Sequence, residues 1–142
     1  MLIFSRHAFL AGCAASLLAL GTPALAEEGG PTAISGPVFY RLDPITFSVI
    51  GPDNRIKKVV AIALQLELEP GKSESALVPV RRQFQNGFLL TLSDIWETAL
   101  TQKRNVSADA VKVRLLNEAT RIAGPGIVKS VLITGLSERR DG

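Results

Sequence analysis

The chain is 142 residues long, with 16 Lys and Arg against 13 Asp and Glu, and its one Cys and one His, Cys13 and His7, both fall within the first 26 residues. If those residues are a removable leader, what remains holds no thiol and no imidazole, which excludes Ser-His and Cys-His nucleophile pairs, disulfides and Cys/His zinc sites. Without Arg6 the balance is 15 basic against 13 acidic residues, with the basic ones spread as the pairs Lys57-Lys58, Arg81-Arg82, Lys103-Arg104 and Arg139-Arg140; no patch interleaved with aromatics exists, so a nucleic-acid partner is not expected.

Residues 1–26 have the layout of an export signal. Arg6 supplies the positive start, Ala8 to Leu20 an apolar run, Gly21-Thr22-Pro23 a helix break, and Ala24-Leu25-Ala26 a cleavage site of the A-x-A type. Three other readings compete. Leu10-Ala11-Gly12-Cys13 spells a lipobox, but apolar residues continue well past Cys13, which suits a small hydrophobe in mid-helix better than a lipidated first residue. Ser5-Arg6-His7-Ala8-Phe9-Leu10 resembles a twin-arginine signal with His7 in place of the second arginine, which leaves the export route open and the destination, the periplasm, unchanged. A retained transmembrane anchor would need an apolar run of about 20 residues, longer than Ala8 to Leu20, so any membrane association is peripheral.

Glu27 to Gly36 is rich in Gly, Pro and small residues and reads as a flexible linker to a single domain over residues 37–142. Val38 to Leu42 and Ile45 to Ile50 are β-rich and split by Pro44, which cannot donate to a sheet ladder and so marks a bend, a bulge or an edge. Gly51-Pro52-Asp53-Asn54 predicts a turn into the next strand. From Val60 the residues Val60, Ile62, Leu64, Leu66 and Leu68 alternate with Ala61, Ala63, Gln65 and Glu67, the period of a strand buried on one face. Its other face is flat and not fully polar, open to a partner or another element. After the loop Glu69 to Ser73, a stripe of Leu77, Val80, Phe84, Phe88 and Leu92 predicts a helix from about Glu74 to Ser93, with Pro79 in its first turns. A second short helix is expected over Asp94 to Gln102. A third, capped by Ser107, carries Val111, Leu115, Ala119 and Ile122 and stops at Gly124-Pro125-Gly126. Val128 to Leu136 reads as a closing strand and Ser137 to Gly142 as a charged tail. The order β-β-α-α-β is that of an α+β two-layer sandwich, helices on one face of a mainly antiparallel sheet.

The segment Val38-Phe39-Tyr40-Arg41-Leu42-Asp43-Pro44-Ile45-Thr46-Phe47, the long alternating strand, the helices and the Val-rich closing strand together resemble the periplasmic domain of the flagellar basal-body-associated FliL family, over roughly Pro37 to Leu136. The sharpest element is Tyr40-x-Leu42-Asp43-Pro44. The resemblance implies a stomatin- or prohibitin-like core, association with the flagellar stator or basal body, homo-oligomeric rings and a role in motility without catalysis. Three features depart from the family pattern: a cleavable leader where the family has a transmembrane helix, Val80-Arg81-Arg82 where it has Ile-Arg-Asp, and Gln102-Lys103-Arg104-Asn105 in place of an acidic Glu-Gly turn. They suggest a divergent paralogue, or a periplasmic binding or adaptor module unrelated to motility.

No catalytic residue, cofactor or metal ligand is expected. The carboxylates Asp43, Glu67, Asp94, Glu97 and Glu118 are scattered, with no spacing that pairs two for acid-base work. Candidate interface residues are Tyr40, Asp43, Arg81, Arg82 and Trp96, each with a competing structural role: turn former for Asp43, core packing for Tyr40 and Trp96, solvated surface for the arginines. The leader reading makes Glu27 the first residue of the mature chain, which mass spectrometry of the exported protein checks.

Overall fold

The strand with the strongest alternation in the sequence is the one on which all the others are hung. In the computed structural model, residues 36–140 are described; the leader and all of the linker but Gly36 lie outside them. The sheet has four antiparallel strands: β1 (Phe39–Arg41), β2 (Ile45–Ile50), β3 (Ile56–Leu68) and β4 (Val128–Arg140). β4 lines one edge of β3 from Lys58 to Leu68. β1 and β2 therefore share the opposite edge, β1 beside Gln65 to Glu67 and β2 beside Ile56 to Ile62.

Between β1 and β2 the ladder gains a residue. Leu42 donates its N–H to the Leu64 carbonyl at 3.2 Å and Ile45 pairs with Ile62, which leaves Asp43 and Pro44 together opposite Ala63. This is a β-bulge, and Pro44, without an N–H to donate, sits where the ladder is already interrupted. β4 is irregular at the same level: Ala63 pairs with Gly135 and Leu64 with Ile133, so Thr134 is extra, and its hydroxyl donates to the Ala63 carbonyl at 3.2 Å. Two bulges flanking one residue bend the sheet there. The β2–β3 hairpin turns on Gly51-Pro52-Asp53-Asn54 as the sequence predicts, with Asn54 N–H donating to the Gly51 carbonyl at 2.9 Å and Asn54 itself left-handed at φ 58°.

Both helices, α1 (Arg81–Thr101) and α2 (Ala108–Ala123), cover the face presented by Val60, Ile62, Leu64, Leu66 and Leu68. The two-layer α+β arrangement is the one expected, with the order β-β-β-α-α-β in place of β-β-α-α-β because the Asp43-Pro44 bulge divides the first β segment into β1 and β2. Three boundaries differ. The segment before α1 forms two short 3-10 turns, Glu74–Ala76 and Val78–Val80, because Pro79 lacks an N–H and disfavours helical backbone at the residue before it. The two helices expected across Ser93 are one, because the buried stripe Phe84, Phe88, Leu92 runs on through Ile95 and Trp96 while Asp94 faces outward to an ion pair with Arg114 of α2 at 2.8 Å. The charged tail is strand as far as Arg140, since β3 starts at Ile56 and offers unpaired backbone that Ser137 to Arg140 complete.

α1 and α2 approach closely at Gly87, where a Cβ would stand 2.5 Å from Glu118 Oε1 and 3.0 Å from Ile122 Cδ1. α2 starts at Ser107, whose hydroxyl accepts from Ala110 N–H at 3.5 Å, and ends at Gly124, whose φ of 89° favours glycine. The core is entirely apolar, with Phe84 and Phe88 fully buried and edge-on at 5.5 Å. Phe88→Ala is expected to destabilise the fold by about 3–5 kcal/mol in urea unfolding through lost transfer energy and a residual cavity, whereas Leu90→Ala, at a position 71% exposed, stays within about 0.5 kcal/mol.

Candidate functional site

α1 lies over β2 and α2 over β4. Where α1 ends and α2 begins, the helices leave part of the sheet between them uncovered, and a cavity of about 680 Å³ opens there, within the roughly 300–1,000 Å³ usual for small-molecule sites. Val49, Ile62, Trp96 and Val111, all buried, lie beneath it, the half-buried Leu100, Val106 and Ile133 make its accessible apolar wall, and Lys58, Lys103, Arg104 and Lys112 stand around it. Leu136, at the β4 side, is 54% exposed although it faces the helices.

Trp96 is 3% exposed, packed edge-on against Phe47 at 5.5 Å and 78°. Its Nε1 donates to Glu138 Oε1 at 2.8 Å, and Lys58 Nζ donates to Glu138 Oε2 at 3.3 Å. The indole hydrogen bond first, then Lys58, holds the Glu138 carboxyl below the usual carboxylate range against the opposing effect of partial desolvation. Glu138 is thus the acceptor that lets the only tryptophan bury its N–H.

The loop closing the cavity has a specific backbone. Lys103 N–H donates to the Leu100 carbonyl at 3.2 Å and Arg104 N–H to the Ala99 carbonyl at 2.9 Å, the bond pair of a Schellman C-cap, with Lys103 in the left-handed position at φ 52°. Glycine is the default there because a Cβ strains this conformation. The sequence places a lysine on that spot and an arginine after it.

The residues singled out in the sequence fall in two places. Asp43, on the β1–β2 bulge, accepts a hydrogen bond from Arg81 Nη2 in an exposed ion pair, and Gln85 Nε2 donates to the Asp43 carbonyl at 3.3 Å, so the bulge is tied to the first turns of α1. The Asp43 hydrogen bond leads in raising the Arg81 pKa further. Arg82 is exposed beside it. Tyr40 at 8% exposure and Trp96 at 3% are core residues, which is the structural role weighed for each beside the interface one; both continue apolar periodicities, Tyr40 with Leu42 and Trp96 four residues beyond Leu92. The other carboxylates are dispersed: Glu67 is held by Ser130 at 2.7 Å and Lys129 at 3.2 Å, Asp94 by Arg114, and Glu118 by Arg121. The cavity draws on five elements, so although the sequence marks Trp96, Lys58 and the Lys103-Arg104 pair separately, nothing in it brings them together.

Among the described residues no helix is long and apolar enough to cross a membrane. The sequence matches no protein-family model and no curated protein.

Two outcomes follow from this geometry. Lys103→Gly should stabilise the fold by about 0.5–1 kcal/mol in urea unfolding, because relief of roughly 1–2 kcal/mol of left-handed strain exceeds the roughly 0.5–1 kcal/mol that glycine loses on ordering. The Glu138 pKa is lower in the folded chain than in the unfolded one, so its contribution is complete above the unfolded value and lost as the pH falls through the folded one. Trp96 emission should accordingly change below about pH 4.3, the ordinary Glu value, and this step should vanish in Glu138→Gln.

Proposed function

We propose that the chain is a non-enzymatic, exported protein that works at the flagellar motor through protein–protein contacts and self-association. The observation that carries this reading is the order of elements from Pro37 to Leu136, in which Tyr40-Arg41-Leu42-Asp43-Pro44 leads from a short strand over a bulge into β2, ahead of a long strand, two helices and a closing strand. This is the order along which the sequence resembles the FliL family, and the stomatin-like core and stator partners belong to the same proposal. Arg81 is engaged by Asp43 within the chain, so Arg82 becomes the better candidate for an acidic neighbour, where an exposed charge contributes little to folding and more to partner choice.

A second reading, a periplasmic binding module unrelated to motility, is favoured by the cavity, which a purely structural sandwich would not need. A position of the gene among flagellar genes supports the first reading, and a genome without flagellin removes it. Deleting the gene should lower swimming and swarming speed under load, with Arg82→Glu giving a partial, salt-sensitive loss of assembly. Unchanged motility in the deletion would count against the motor reading and leave the second standing.

A further inference from the structure

We propose that the cavity between the end of α1 and the start of α2 binds one molecule of a free single-chain anionic amphiphile, its aliphatic chain on Leu100, Val106, Ile133 and Leu136 above the buried Trp96 and its carboxylate or phosphate head at Lys103, Arg104 and Lys112. The inference does not rest on the motor reading.

Three observations support it. First, the charges around the cavity are unbalanced. Glu138 is the sole carboxylate lining it and is already held by Trp96 and Lys58, whereas among the described residues Lys103, Arg104 and Lys112 have no carboxylate within ion-pair distance. Cations grouped at the mouth of a low-dielectric pocket attract an anion more strongly than the same charges on an open surface.

Second, the interior is apolar, so a small hydrophilic anion would leave it wet, and covering it with a hydrocarbon chain removes apolar surface from water. The exposed side chain of Leu136 beside it is the sort of surface such a chain would cover. A recess of about 680 Å³ is in the size range of small-molecule sites.

Third, Lys103 occupies a left-handed cap position at φ 52° where glycine would be less strained. A strained residue kept at the lip of a cavity is commonly tied to what the cavity does, and here it brings an ammonium to the mouth.

The test uses protein isolated from cells expressing the full chain and reads the emission of Trp96, the only tryptophan, which lines the cavity. The probes are dodecanoate and dodecyl phosphate below their micelle concentrations, dodecyl maltoside as a neutral-headed equivalent, acetate and inorganic phosphate as heads alone, and phosphatidylglycerol vesicles as a bilayer. The proposal predicts a saturable change with one or both anionic amphiphiles, binding to dodecyl maltoside weaker by about tenfold or more, and no response to the heads alone. Combining Lys103→Gly, Arg104→Ala and Lys112→Ala should weaken anionic binding by about tenfold, as three solvent-screened charge contacts of modest worth predict, with the fold retained. Ala99→Phe, which adds bulk inside the cavity, should abolish binding of every amphiphile. The proposal is overturned by the absence of a saturable response to both anionic probes, by equal affinity for dodecyl maltoside, by full affinity in the triple variant, or by a response confined to vesicles.

Discussion

One-sided burial of β3 is the constraint on which the rest of this structure depends. Val60, Ile62, Leu64, Leu66 and Leu68 point to a single face, and burying each contributes on the order of 1.5–3 kcal/mol relative to leaving it in water. A one-residue slip would turn the whole set outward, so the register of β3 is strongly specified. The helices are drawn to that face by Phe84, Phe88, Leu92, Val111 and Leu115, all buried. The small residues Ala61 and Ala63 leave the opposite face thin, and at Ala63 both flanking strands bulge, so the sheet bends where its own side chains are least in the way.

The helices cover β3 unevenly, and the uncovered end is where polar chemistry collects. Trp96 reaches toward that end and needs an acceptor; Glu138 supplies it from a stretch of β4 that exists only because β3 extends far enough to pair with it. The left-handed cap at Lys103 then turns the chain back toward α2 over the gap. The features that make the end irregular, a buried indole on a surface carboxylate and a lysine where glycine fits best, are local conflicts of the type that natural sequences retain at working surfaces.

Most of the fold was readable in advance because it follows from periodicity. The alternation of β3, the stripe of α2 and the Gly-Pro-Asp-Asn turn each carry their own signal. The break expected at Ser93-Asp94 does not occur, because the four-residue steps from Phe84 through Trp96 continue across these polar residues. The extension of β4 could not be seen because Ser-Glu-Arg-Arg has no strand preference of its own; pairing with β3 and the bond from Trp96 hold it. The cavity was invisible for a related reason. Its lining comes from β2, β3, α1, α2 and β4, and only packing brings Val49, Trp96, Val111 and Glu138 to one place.

The amphiphile site proposed for this chain lies at the open end of the sandwich, and not on the flat sheet face of Val59, Ala61, Ala63 and Leu132. The most direct measurement is a map of backbone and indole amide shifts during titration with dodecanoate, in ¹⁵N-labelled protein. The account predicts that the Trp96 indole N–H, the amides from Lys103 to Val106 and that of Val111 move together and saturate. Shifts centred on Ala61, Ala63 and Leu132, with the Trp96 indole unmoved, would contradict it.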